Sequence, residues 1–298
     1  MMDQATKLRE LIKKKNVISN SSIQHNEESQ KHARVICITS GKGGVGKTNF
    51  TVNLAIALSK QNKRVAIIDA DLGLANVDVM LGVIPKFTLL DVVKNNKNIT
   101  DIMNTGPNGI KIISGGSGIL DLVDLSEEHL NILIHQFNKI NDFADIILID
   151  TGAGLSKSVV SFVLAAEEVI VVTTSEPTSL TDAYAMIKTI GLQDKNKNIK
   201  AVINRVESIN EGTVAFEKLK NAAEKFLDIE IEKLGFIVDD YSVSRAVKLQ
   251  KPFILQYPGS AVSKGIETIA LKLMNHSIEE KNTLKSDSFF SKILNLLR

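Results

Sequence analysis

The stretch SGKGGVGKT, Ser40 to Thr48, follows the apolar run RVICIT and precedes a helical pattern. Within it Gly41, Gly46, Lys47 and Thr48 fit the spacing G-x-x-x-x-G-K-[ST]. Glycines take backbone conformations that other residues resist, so the N–H groups of Gly43, Gly44, Val45 and Gly46 can converge on phosphate oxygens. The helix that begins near Lys47 adds its partial positive charge. Lys47 then serves the β- and γ-phosphates, and the Thr48 hydroxyl is available to Mg²⁺. The pattern predicts a bound nucleotide. It does not account for Lys42, which stands too early in a tight loop to curl back onto its own γ-phosphate; a solvated lysine is the plain alternative.

Carboxylates recur at the ends of other apolar runs. RVAIIDADLGLANVD places Asp69 and Asp71 after one, and DIILIDTGAG places Asp150 after another. A carboxylate directly after buried apolar residues is costly unless a cation meets it, and Mg²⁺ with nucleotide phosphates would be that cation. Gly152 and Gly154 would let the following loop approach the γ-phosphate. Asn76 and Asp78 fit a turn nearly as well as a polar contact.

These residues need a frame that brings strand ends together. From Arg34 to about Asn275, apolar runs (VICIT, RVAIID, IKIIS, DIILID, EVIVVTT, KAVIN, KLGFIV) alternate with helical patterns. Continuous apolar runs suit strands buried on both faces. The alternation predicts a three-layer α/β fold with a mostly parallel central sheet and helices on both sides. In such a sheet ligands bind beyond the carboxyl ends of the strands, where Lys47, Asp69, Asp71 and Asp150 all fall. The organisation expected is residues 1–33 as a short helical piece and polar linker, 34–276 as the nucleotide-binding domain, and 277–298 as a second linker and amphipathic helix. The 298 residues hold one cysteine, Cys37, so no disulfide forms within the chain. No apolar stretch reaches the ~20 residues that span a bilayer, and the N-terminus has neither a hydrophobic leader nor a transit pattern, which points to the cytoplasm. A net charge of +2 does not argue for nucleic acid.

The early lysine of KGGVGKT resembles the deviant P-loop of the MinD/ParA ATPases. That resemblance implies ATP/ADP with Mg²⁺, and a homodimer in which Lys42 reaches the partner's ATP. It implies that Asp71 orients the attacking water, and that Asp150 and Thr48 hold the metal with Asp69 close behind. Asn204 and Arg205 of VINRV match the adenine-contacting pair, and Val238, Asp239 and Asp240 match the segment closing over the base. Two positions depart from the family: Val238 stands where proline is usual, and Asn49 where Thr or Ser is usual. Asn49 can still donate to an α-phosphate. One cysteine cannot serve the relatives that hold iron–sulfur clusters. A partition-type role would need a basic surface for DNA, and no strong basic run occurs in the core, so no sequence-specific nucleic-acid binding is expected.

Both termini refine the resemblance. DQATKLR, Asp3 to Arg9, matches the DQAxxLR motif of the FlhG family (also FleN or YlxH), the MinD-like regulators of flagellar number and placement. DTGAG, SGGSG and VKLQKPF also read more like that branch than like MinD. By resemblance Asp3, Gln4, Ala5, Leu8 and Arg9 stimulate an FlhF-type GTPase, and a flagellar C-ring component or flagellar transcription regulator is a further partner. In SDSFFSKILNLLR, Ser286 to Arg298, the residues Phe289, Phe290, Ile293, Leu294 and Leu297 share one helical face. Its roughly 20 Å cannot span a bilayer but suits its interface. A last helix docked on the protein is the alternative, and the two can alternate with nucleotide state. The branch resemblance favours the membrane, giving a cytoplasmic protein held peripherally there with ATP. The rival functions are a MinD-type division-site ATPase and a non-enzymatic adaptor with ATP as a structural ligand.

Overall fold

The computed structural model describes residues 32–71, 76–115, 127–276 and 289–297. The chain divides into Met1–His32 and Ala33–Arg298, and of the first unit only His32 is described. The DQATKLR motif, with Asp3, Gln4, Ala5, Leu8 and Arg9, therefore lies outside the described residues, as do 277–288.

Strands β1 (Arg34–Ser40), β2 (Val65–Ala70), β3 (Asn104–Thr105), β4 (Lys111–Ser114), β5 (Ile146–Ala153), β6 (Glu168–Thr174), β7 (Asn198–Val206) and β8 (Glu232–Val238) form one sheet. Its order is β3-β4-β2-β5-β1-β6-β7-β8, parallel except for β3 against β4. The seven long strands coincide with the seven apolar runs. The two-residue β3 has no periodicity to announce it. The helices are α1 (Lys47–Ser59), α2 (Asn76–Leu81), α3 (Leu89–Lys94), α4 (Ile99–Ile102), α5 (Glu127–Asn138) and α6 (Lys157–Ala165), then α7 (Pro177–Gln193), α8 (Ile209–Leu227), α9 (Tyr241–Lys248), α10 (Phe253–Gln256), α11 (Ala261–His276) and α12 (Phe289–Leu297).

The pleat explains why the strands are apolar throughout. In β1 Val35 and Cys37 enter one core and Ile36 and Ile38 the other; in β5 Ile147 and Ile149 oppose Ile146 and Leu148 in the same way. One core packs against α5, α6, α7 and α8, the other against α1 and α11. Burial pushes the Cys37 thiol well above its usual range, which suits an inert core residue. Charges at the strand starts pair across the sheet, far from the strand ends. Arg34 Nε donates to Glu168 Oε1 at 2.7 Å, and Lys200 Nζ sits 3.2 Å from Glu168 Oε2 and 2.7 Å from Glu232 Oε2.

The C-terminal helix α12 is docked on α5 and α6. Phe289 and Ile293, expected at a lipid surface, are instead 8% and 4% exposed within the core on that side of the sheet. Ser161 Oγ also donates to the carbonyl of Leu296 at 3.3 Å. An apolar helical face in a lone chain covers the nearest apolar surface, which here belongs to the same protein. The side chains of Phe290, Leu294 and Leu297 lie outside the described structure. No helix among the described residues is long and apolar enough to cross a membrane.

Candidate functional site

The loop from Gly41 to Gly46 turns the chain from β1 into α1. Gly44 and Gly46 adopt φ of 78° and 92°, a region that penalises a Cβ. Gly46 is also hemmed in, since an added Cβ would run into Asn204 Nδ2. Helix α1 starts at Lys47 without an acidic residue in its first turn, leaving its N–H groups to an anion.

Lys47 is 7% exposed and points across the loop base at β5. Its Nζ lies 3.3 Å from Asp150 Oδ1 and donates to the carbonyl of Thr151. Asp150 is fully buried, and also accepts from Thr48 Oγ1 at 2.6 Å and Thr51 Oγ1 at 2.9 Å. These partners offset the cost of burying the carboxylate. Thr51, one turn beyond Thr48, was not singled out by the motif. The Thr48 hydroxyl and Asp150 carboxylate together fit a hard cation that brings further ligands with it as phosphate oxygens and water. Among the described residues no group of three or more His, Cys, Asp or Glu could cage a metal.

Asp69 stands beside Asp150 on the neighbouring strand and spends both oxygens on backbone. It accepts from Asp71 N and Val77 N, each at 3.1 Å, and so clips the two ends of the loop after β2. Burial first, and the Asp150 charge second, push its carboxyl up to about 7 against those two N–H bonds. Asp71 is half-buried; its Oδ2 accepts from Asn76 Nδ2 at 3.1 Å, and its Oδ1 is 3.5 Å from where a Cβ on Gly152 would stand. The β2 and β5 loops therefore meet at Asp71. Asp78, read as a turn or surface residue, is 2% exposed, with both carboxylate oxygens within 2.8 Å of Ser114 Oγ. Burial raises its pKa and the Ser114 hydroxyl lowers it.

A pocket beyond the loop is lined by Asn49, Phe50, Asn204, Arg205, Val238 and Asp239, among others. Asn204 Nδ2 donates to Val45 O at 2.7 Å, and its Oδ1 accepts from Arg205 N, so it ties β7 to the phosphate loop. Arg205 holds φ of 54°, a strained value for a long side chain. Asp240, grouped with the base contacts from sequence, is instead the N-cap of α9 and accepts from Ser242 N at 2.8 Å. That N–H, with the Ser242 side chain, holds its carboxyl below the usual range.

Lys42 does not join this cluster. Its Nζ lies outside, 3.3 Å from Glu176 Oε2 and 3.2 Å from Thr178 Oγ1 at the start of α7, with the side chains of Lys42 and Glu176 42% and 66% exposed. Sequence reasoning missed Glu176 and Thr178, because nothing in local spacing links residues so far apart in the chain.

Residues 31–274 match the ParA family, described as NUBPL iron-transfer P-loop NTPase. The chain is 43% identical over 240 residues to the antiactivator FleN of Pseudomonas aeruginosa, covering 80% of this chain and 86% of that protein. It is 34% identical to the flagellum site-determining protein YlxH of Helicobacter pylori, over the full length of both. Among solved structures, MinD in a MinC:MinD cell division complex from Aquifex aeolicus superposes with a TM-score of 0.67 at 29% identity, covering 85% of this chain and 99% of that one. MinD complexed with Mg-ADP from Pyrococcus horikoshii gives 0.64 at 26% identity, covering 84% and 100%. With the ParA family model matched over 31–274, MinD structures superposing on the fold and full-length similarity to a flagellum site-determining protein, the chain belongs to the MinD/ParA family of P-loop ATPases, in its FlhG/FleN/YlxH branch.

Proposed function

We propose that this chain is an ATP-driven switch controlling flagellar number and placement, which dimerises around Mg²⁺·ATP and then engages the membrane. The observation that carries the reading is the division of labour between the two loop lysines. Lys47 is buried against Asp150 and serves its own nucleotide, while Lys42 lies at the open rim with only exposed partners. An exposed pair of this kind contributes about 0–1 kcal/mol, so Lys42 can exchange Glu176 for a partner's γ-phosphate. Such a cation delivered in trans acts as an arginine finger does.

In the closed dimer Thr48 and Asp150 would hold Mg²⁺, which would supply positive charge to the phosphates. Asp71 positions the attacking water, and the phosphate loop N–H groups hold the transferring group. Asn204, Arg205, Val238 and Asp239 take the base. Positioning alone supports turnover on the order of 10⁻³ to 10⁻² per second. Dimerisation releases α12 from α5 and α6 toward lipid, and residues 1–12 act on an FlhF-type GTPase. The test is phosphate release against protein concentration. Specific activity per chain should rise with concentration and be lost in Lys42→Ala. A rate per chain independent of concentration contradicts the dimer, and no turnover at all favours an adaptor that holds ATP structurally.

A further inference from the structure

A second surface lies past the strand ends, where the segment after β2 meets the segment after β8. Gly82 sits against Gln250, close enough that an added Cβ would come 4.0 Å from the Gln250 side chain. Val79 and Ile84 flank Gly82, and they are 61% and 90% exposed. Val247 and Leu249 flank Gln250 at 42% and 54%. Gln250 itself holds φ of 50° just past the end of α9, where glycine is the usual choice. Aliphatic side chains gathered this way in water mark a contact surface.

Past the two acids Asp239 and Asp240, which lie at the start of α9, the charged residues beside these aliphatic side chains are cations. From Tyr241 to Gln256 the chain carries Arg245, Lys248 and Lys251 and no acid, and Lys86 follows Ile84. Among the described residues no carboxylate pairs with any of these four cations, although Arg245 lies over the Tyr257 ring at 5.3 Å. The VKLQKPF motif, Val247 to Phe253, supplies most of the surface: Phe253 is buried beneath it while Val247, Lys248, Leu249 and Lys251 face out.

We propose that this surface docks an acidic, amphipathic segment of a partner protein, aliphatic residues against Ile84 and Leu249 and carboxylates toward Lys248 and Lys251. A lipid bilayer shares the same complementarity, but the placement argues for protein. Arg34, at the start of β1, donates to the carbonyl of Leu273 at 2.9 Å, so α11, the last element before the tail, ends at the opposite pole of the sheet. The surface backs onto the base pocket through Phe253, but Val247, Lys248, Leu249 and Lys251 do not line that pocket, and the proposal does not depend on the dimer reading.

The test uses the full chain, a phage-displayed library of helical peptides, and phosphatidylglycerol vesicles as a second probe. Peptides selected on the native protein should carry Asp or Glu beside aliphatic residues at helical spacing, and should bind more weakly as salt rises. Lys248→Glu/Lys251→Glu and, separately, Leu249→Ser should each weaken them by about ten-fold or more, with melting and ATP binding unchanged. Selected peptides without acidic residues, or equal binding to the variants, overturn the proposal. So does a charge-reversed variant that loses vesicle binding and keeps peptide binding, which assigns the surface to lipid.

Discussion

Lys47 and Asp69 are both buried among the strand ends, and each carries its own consequence. Lys47 pairs with the buried Asp150, so Lys47→Ala removes the phosphate cation and strands a buried carboxylate. ATP binding should vanish in calorimetry, and thermal unfolding should fall by several degrees. Asp69 makes a sharper prediction. Its folded carboxyl is raised from 3.8 to about 7, so between those values the folded state holds a proton that the unfolded state has lost. Its contribution is fully present below about pH 4 and is lost as pH rises through about 7, by up to about 4 kcal/mol. Relative to Asp69→Asn, native stability in urea should therefore decline from pH 4.5 to 7.5. A wild-type protein that holds or gains stability relative to Asp69→Asn as pH rises would contradict it. At this scale the motif residues were legible in sequence, because phosphate chemistry fixes their types and spacing. Glu176, Thr178 and Ser114 were not, since each meets its partner only through the fold.

Among the elements, the strands were legible because burial on both faces leaves an unbroken apolar run, and α1 because the motif announces it. The last helix was legible as amphipathic, but its sequence does not say which apolar surface it covers. Burying Phe289 and Ile293 contributes roughly 1.5–3 kcal/mol each. A contribution of that size is one that burial at a lipid interface could replace. Co-sedimentation with anionic liposomes should require ATP and be lost on deleting residues 286–298, because two released tails raise avidity by about 10² to 10⁴. If Phe290→Glu leaves sedimentation unchanged, the helix is structural. For the N-terminal segment, a peptide of residues 1–20 should accelerate an FlhF-type GTPase, with Gln4→Ala inert and Lys7→Ala active. A silent peptide beside a stimulating full chain would move that activity to the ATPase body.

At the scale of the molecule, the account holds that the site is incomplete in one chain. Lys47, Thr48, Asp71 and Asp150 converge beyond the ends of β1, β2 and β5, while Lys42 lies outside against Glu176. Sequence gave a reason to look at Lys42 through its family resemblance; only the fold shows that its reach within the chain is already taken. The direct measurement is sedimentation velocity with Mg²⁺·ATP on Asp71→Ala, which should bind ATP without hydrolysing it, with and without Lys42→Ala. The account predicts a stable dimer for Asp71→Ala and a nucleotide-bound monomer for the double variant. A double variant that dimerises as tightly as Asp71→Ala would contradict the cross-subunit role of Lys42.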